Sequence, residues 1–221
     1  MTKRKLQRFA ENLTFPHLIQ PQGFYPPVDH ELKGKWKQNF FKNERDIILE
    51  LGCGRGEYTV NLARMFPNQN FIGVDWKGAR LWKGAKDSQQ EQITNTGFLR
   101  IQIQNVGHYF GPGEVKEIWI TFPDPQPGKR GERKRLTSPR FLEIYRTFLS
   151  RGGIIHLKTD DLGLYEYTLG ILDEVKASII FTTDDLYATT PEDPVLSLKT
   201  TYEKIWLAEG KKICYLKFCF T

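Results

Sequence analysis

Glycines and carboxylates mark the places where this chain could do chemistry. Glu50-Leu51-Gly52-Cys53-Gly54-Arg55-Gly56 follows an apolar run. Glycines let the backbone turn tightly and let a ligand come close to it. A nicotinamide dinucleotide fingerprint, GxGxxG, needs its third glycine at position 57, where Glu57 stands. ExGxGxG after a strand instead fits a loop for S-adenosylmethionine. That ligand carries an amino acid and a sulfonium but no pyrophosphate, so it has less use for a helix N-terminus. Glu50 and Glu57 suit its cationic groups. A plain glycine turn joining strand to helix is the structural alternative.

Asp75 closes the next apolar run, NFIGVD. Its carboxylate can accept both hydroxyls of a ribose at about the spacing such a site requires. Capping a helix is its competing role. Asn105 offers one acceptor and two donors, as an adenine edge requires; a turn-forming Asn before Gly107 explains it equally well. Phe122-Pro123-Asp124-Pro125-Gln126-Pro127 carries alternating prolines, which fix φ and stiffen the loop. Asp124 is then a fixed carboxylate at a strand end. Lys129, Arg130, Arg133, Lys134 and Arg135 follow it. A fixed acid beside mobile cations suits a base recognised next to its phosphate backbone. A solvated surface loop would not need such stiffening.

The elements that must position these residues alternate in type. Ile47–Leu51, Asn70–Asp75, Phe98–Asn105, Glu117–Phe122, Ile154–Thr159, Ser178–Thr183 and Lys212–Phe220 read as strands. Glu57–Phe66, Lys77 to about Asn95, Ser138–Leu149, Leu162–Lys176 and Thr200–Glu209 read as helices. Residues 184–197 read as a polar loop. This alternation predicts an α/β, Rossmann-like domain over 46–221, with a mostly parallel sheet covered on both faces. Residues 1–45, with Pro16, Pro21, Pro26 and Pro27, read as a basic, irregular N-terminal arm.

Composition narrows the classes. Of 221 residues, 39% are hydrophobic and 26% charged, enough for a core and against disorder. No apolar run is long enough to cross a bilayer, and Phe9–Gln20 is too polar for a signal peptide, so a cytoplasmic protein is expected. The three cysteines form no CxxC pair, and His17, His30 and His108 show no ligand spacing. Neither a disulfide framework nor a metal site is expected. His156 lies inside a strand and reads as packed. A net charge of +6 permits nucleic-acid binding if it is focused near a site.

ELGCGRGEYTV, FIGVD, ITFPDPQP, HLKTD and TTYE, in this order, resemble the bacterial tRNA (guanine-N7-)-methyltransferase family. The likeness runs from about residue 47 to 220. It implies a class I methyltransferase with a seven-stranded sheet. It also implies S-adenosylmethionine as cofactor and methyl transfer to N7 of a guanine in the variable loop of tRNA. By the same resemblance, Glu50, Gly52, Gly54, Gly56, Asp75 and Asn105 contact the cofactor. Asp124 sits at the reaction centre, touching cofactor or guanine. The family's basic residue after the proline loop falls here on Gly128, with Lys129 the nearest replacement beside Arg130. Asp160, Thr200, Thr201, Tyr202 and Glu203 face the RNA. Gln126 stands where the family usually has Trp, and Gly131 where His is common. The residues alone favour helix capping for Asp160 and a capping box for Thr200 with Glu203. An amino-group methyltransferase lacks support, because DPQP has neither two consecutive prolines nor an aromatic. A non-catalytic RNA-binding relative is the other alternative. Monomer and homodimer both remain compatible with the sequence.

Overall fold

In the computed structural model, the described residues are 3–21, 28–189 and 193–221. Pro26 and Pro27 of the expected arm lie outside them. The described part of the arm, residues 3–21 and 28–45, holds more regular structure than the prolines imply. Helix α1 spans Lys3–Asn12, strand β1 spans Leu18–Ile19, and one π-type turn covers Trp36–Phe41. The reason is apolar anchoring. Phe15 and Leu18 are buried in a cluster with Leu81, Ala85 and Phe98. Trp36 is wholly buried, stacks on Phe110 and donates its indole N–H to the Tyr109 carbonyl at 2.7 Å.

The remaining elements alternate as the sequence implies. They are β2 (Ile47–Leu51), α2 (Glu57–Met65), β3 (Asn70–Asp75), α3 (Gly78–Gln90), β4 (Thr96–Arg100), β5 (Val115–Thr121), α4 (Pro139–Arg146), β6 (Leu149–Thr159), α5 (Leu162–Ile171), β7 (Ala177–Thr183), α6 (Leu186–Thr189), α7 (Thr201–Ala208) and β8 (Cys214–Phe220). The short helix α6 falls inside the expected 184–197 loop; residues 190–192 of that loop lie outside the described residues. The sheet order is β1-β4-β3-β2-β5-β6-β8-β7. Among the described residues it therefore has eight strands rather than seven, because β1 from the arm adds parallel to β4, pairing Leu18 with Phe98 and Ile19 with Leu99. Only β8 runs antiparallel to its neighbours, β6 and β7.

One strand is shorter than its alternation predicts. FLRIQIQN leaves the sheet after Arg100, and Ile103–His108 forms a 3₁₀ helix that contains Asn105. Strand β4 pairs with β3 up to Asp75 opposite Arg100, where β3 ends. Beyond that pair no strand remains to accept the ladder. Ile101 and Val106 still turn into the main core, so the apolar spacing was satisfied by a tighter helix.

The chain enters the sheet centre at β2, runs outward through β3 and β4, then returns to β5 on the other side of β2. Between β2 and β5 lies a topological switch point. A crevice opens there, beyond the carboxyl ends of the strands.

Candidate active site at the strand ends

Strand β2 delivers the glycine loop into this crevice. Gly52, Gly54 and Gly56 have φ of 78°, 57° and 72°. Side chains strongly disfavour that left-handed region, so the run of glycines is required by the turn itself. Gly56 has a second reason: a Cβ there would lie 2.6 Å from the Phe98 ring. Gly52 and Cys53 both donate to the Val74 carbonyl, at 2.8 and 3.1 Å, folding the loop over the end of β3.

Two acids are fixed by this fold. Glu50 is 4% exposed. One of its oxygens accepts from the Thr59 backbone N–H at 2.9 Å and from the Thr59 hydroxyl. Its other oxygen accepts from the Thr121 hydroxyl at 2.7 Å. Burial pushes its pKa up to about 7 against the pull of those donors. Asp75 accepts from the Gly54 N–H at 2.9 Å and from the Lys77 N–H at 2.7 Å. These contacts orient the carboxylate and leave further lone pairs for two hydroxyl donors. Its bond goes to the N–H of Lys77, which is itself the N-cap residue of α3 and has no side-chain cap bond, so Asp75 does not cap that helix.

Strand β5 delivers the proline loop. Phe122 and Gln126, on either side of Asp124, hold φ of 50° and 47° without being glycine. Strained non-glycine positions of this kind concentrate at functional sites. Asp124 accepts from the Gln126 N–H at 3.1 Å, which fixes one of its oxygens within the loop. Arg135 donates to the Pro125 carbonyl at 3.1 Å and lies 4.1 Å over the Tyr167 ring. Gly131 fits under the same loop because it has no side chain: a Cβ would approach the Gln126 carbonyl oxygen to 2.3 Å. Lys129 and Arg130 are exposed and make no ion pair among the described residues.

Helix α7 forms the opposite wall. Thr200 accepts from the Glu203 N–H at 3.2 Å, and Glu203 accepts from the Thr200 N–H at 3.2 Å, so the capping box is present. Glu203 has no exposed surface. It pairs with the equally buried Lys158 at 2.8 Å and accepts from the Tyr187 hydroxyl. A side chain so enclosed holds α7 in place and does not face RNA, which corrects the expectation for this residue. Burial lowers the Lys158 pKa, and the adjacent carboxylate offsets part of that shift. Thr201 donates through its backbone and its hydroxyl to Glu57, at 2.8 and 3.0 Å. Glu57 thereby ties the glycine loop's helix to α7. Tyr202 is 51% exposed and stacks on Trp206, whose ring lies 4.9 Å from Phe122.

One cavity of about 440 Å³ gathers some of these parts; Gly56, Asp75, Lys129, Arg130, Thr201 and Glu203 are not among its lining residues. Glu50, Gly52, Gly54, Asp124, Thr200 and Tyr202 line it, from three separate stretches of chain. Asn105 lies outside this lining, in the 3₁₀ helix. Asp160 is also outside it and pairs with Lys211 at 3.0 Å. Its neighbour Asp161, not Asp160, caps α5 by accepting from the Leu164 N–H at 2.6 Å. His156 is packed, as expected, stacked on Trp119 with centroids 3.8 Å apart.

The sequence reading missed Trp206 and Lys158. Trp206 also lines the cavity, and its signal was available: it follows Tyr202 by one helical turn, so the two share a face. Lys158 had no such signal, because a lysine in HLKTD gives no sign that its ammonium is buried. Among the described residues no cluster of side chains could hold a metal ion, and no helix is long and apolar enough to cross a membrane.

Comparison with known proteins adds to this geometry. A protein family described as a putative methyltransferase matches residues 44–216. A tRNA (guanine-N(7)-)-methyltransferase of Bacteroides fragilis is 49% identical over 219 residues, covering 99% of this chain and 86% of the relative. One from Christiangramia forsetii is 47% identical over 221 residues, covering 98% of each. Among solved structures, the 16S rRNA methyltransferase KamB aligns with a TM-score of 0.60 at 15% identity, covering 78% of this chain and 86% of that one. At that identity the likeness speaks for the fold alone.

Proposed function

The chain belongs to the tRNA (guanine-N(7)-)-methyltransferase family, and from that premise we propose that it methylates N7 of a guanine in the variable loop of tRNA. The supporting observation is the single cavity that Asp124 shares with the glycine loop. S-adenosylmethionine fits the residues present. Asp75 offers acceptors for a ribose diol, and buried Glu50 offers a carboxylate for a cationic group. Gly54 has only the Gly52 carbonyl oxygen within 4 Å of a would-be Cβ, so the loop leaves room for a ligand. Arg55, Lys77 and Arg80 are exposed, at the rim rather than inside. When bound, the cofactor supplies a methyl group activated by its sulfonium.

The protein's own task is placement. Guanine N7 already carries a lone pair, so no strong base is needed. Asp124, held by the prolines and by Arg135, accepts hydrogen bonds from the guanine's polar edge. Its charge also favours the positive charge that appears on the base as N7 forms its new bond. Tyr202 and Trp206 present aromatic faces on which a purine stacks. That pair occupies the role vacated where Gln126 replaces the family's usual Trp. Alignment of this kind accounts for roughly 7–11 kcal/mol of barrier reduction. Lys129 and Arg130 neutralise phosphates beside the target base.

The direct test incubates the full chain with radiolabelled S-adenosylmethionine and unmodified tRNA, then cleaves selectively at N7-methylguanosine. Label in tRNA with scission at one variable-loop guanine is the expected result. Label without such scission refutes N7 as the acceptor.

A further inference from the structure

A second depression, of about 690 Å³, runs beside the active-site cavity between α1 and α3. Arg4 and Arg8 line it from α1; Arg80, Trp82 and Lys83 line it from α3. Gly54, Arg55, Arg80 and Tyr202 line both this trough and the cavity, so the two are continuous.

The trough is built rather than incidental. Asn12 donates to the Gly78 carbonyl at 2.8 Å from a buried position, and Arg8 donates to the Ala79 carbonyl at 3.3 Å. The Trp82 indole donates to Glu11 at 2.6 Å. These bonds fasten α1 across the first turns of α3. Arg8 and Lys86 each lie 4.6 Å from the Trp82 ring centroid.

Its charge is unbalanced. Lys83 pairs with Asp87 at 2.7 Å, and Lys86 pairs with Glu11 at 3.6 Å. Arg4, Arg8, Arg55 and Arg80 have no carboxylate partner among the described residues. Guanidinium groups offer forked donors that match phosphate oxygens. A row of them leading into a cavity suited to a purine matches a strand whose phosphates are regularly spaced.

We propose that this trough binds the tRNA backbone next to the target nucleotide and sets the direction in which the RNA enters the site. The proposal rests on the tRNA methyltransferase reading. It places the N-terminal helix in substrate recognition, on the opposite side of the glycine loop from Lys129 and Arg130.

The test compares the full chain with its Arg4→Ala/Arg8→Ala variant. Affinity for unmodified tRNA is measured by fluorescence anisotropy over a salt series, with S-adenosylmethionine affinity measured by calorimetry in parallel. Expected is a loss of roughly five- to tenfold per arginine near ~0.1 M salt, and a log–log salt slope shallower by about one per arginine. Cofactor affinity stays unchanged. A thermal melt shows whether the variant is folded. A folded variant with unaltered tRNA affinity and slope overturns the proposal. If the variant fails to fold, ultraviolet cross-linking of the wild-type chain decides. Adducts within residues 77–90 support the trough, and adducts confined to the proline loop and α7 overturn it. Failure of the wild-type chain to methylate any tRNA guanine sinks the parent reading, which a defect confined to the variant cannot do.

Discussion

The wall we propose for the cofactor holds its acids with its own donors, whereas the wall we propose for the RNA leaves its charges open. Glu50 receives bonds from Thr59 and Thr121, and Asp75 receives backbone N–H groups from Gly54 and Lys77. Across the gap, among the described residues, Asp124 is exposed and accepts from the Gln126 N–H alone, and Lys129 and Arg130 have no carboxylate partner. The contrast follows from ligand size. A small cofactor meets a site whose geometry the sheet fixes in advance. A large polyanion brings enough phosphates to organise exposed cations on arrival, at the cost of salt sensitivity.

The contrast has one strong exception, and it gives the largest expected effect. Helix α7 belongs to the wall proposed for the RNA, yet it hangs from the buried Lys158–Glu203 pair. Lys158→Met leaves Glu203 enclosed without its cation. Breaking one partner of such a pair costs about 3–5 kcal/mol. Urea unfolding will show that loss. A loss under about 1 kcal/mol means that α7 is held by other contacts and that this pair is worth no more than an exposed one.

Asp124→Ala separates the two sides functionally. Turnover is expected to fall on the order of 10²–10³-fold, by analogy with removing one electrostatic group from a reaction centre. S-adenosylmethionine affinity should be largely kept, because Glu50 and Asp75 remain in place. Calorimetry and single-turnover methylation measure both. Near-normal turnover would remove Asp124 from the reaction centre; an equal loss of cofactor affinity would move it to the cofactor side.

The same division governs what the sequence made legible. The glycine loop, Asp75 and the proline loop were readable because local covalent rules dictate them: positive φ needs glycine, and a stiff loop needs prolines. Strands β2 and β3 were readable to the residue because both are central and bounded by turn signals. Asn105 was misplaced because alternation along one strand cannot show where the neighbouring strand ends. The capping role of Glu203 was legible in TTYE, whereas the RNA-facing role implied by the resemblance failed because nothing local reveals the lysine buried against it. The regular structure in the described part of the arm was missed because prolines mask the anchoring of Phe15, Leu18 and Trp36 by distant partners. Long-range burial is the common factor in these failures.

Glu50 gives a pH signature for the cofactor side. Its carboxyl titrates at about 7 in the folded chain against an ordinary 4.5, because burial disfavours the anion. As pH rises past about 4.5 the unfolded chain releases a proton that the folded chain keeps. Stability from this group is therefore complete below about 4.5, declines as pH climbs, and is lost above about 7. The full difference is about 3 kcal/mol. Glu50→Gln should flatten that portion of the curve. Urea unfolding of both proteins across pH 4–8 checks the sign. A wild-type curve that rises over this interval relative to the variant contradicts the assignment.

The smallest effect concerns the RNA side alone. Replacing Lys129 and Arg130 by Ala removes two exposed cations that touch no acid among the described residues, so folding stability should move by less than about 0.5 kcal/mol. Their value lies in released counterions. The salt slope of tRNA binding should become shallower by about two, roughly one per residue. Because the loss is electrostatic, variant and wild type should differ most in dilute salt and converge near ~1 M. Constant separation at all salt concentrations would mean that these side chains act by shape, through the loop that carries Asp124. The open charges of this wall would then be part of a folded scaffold after all, and the two sides of the cavity would be alike.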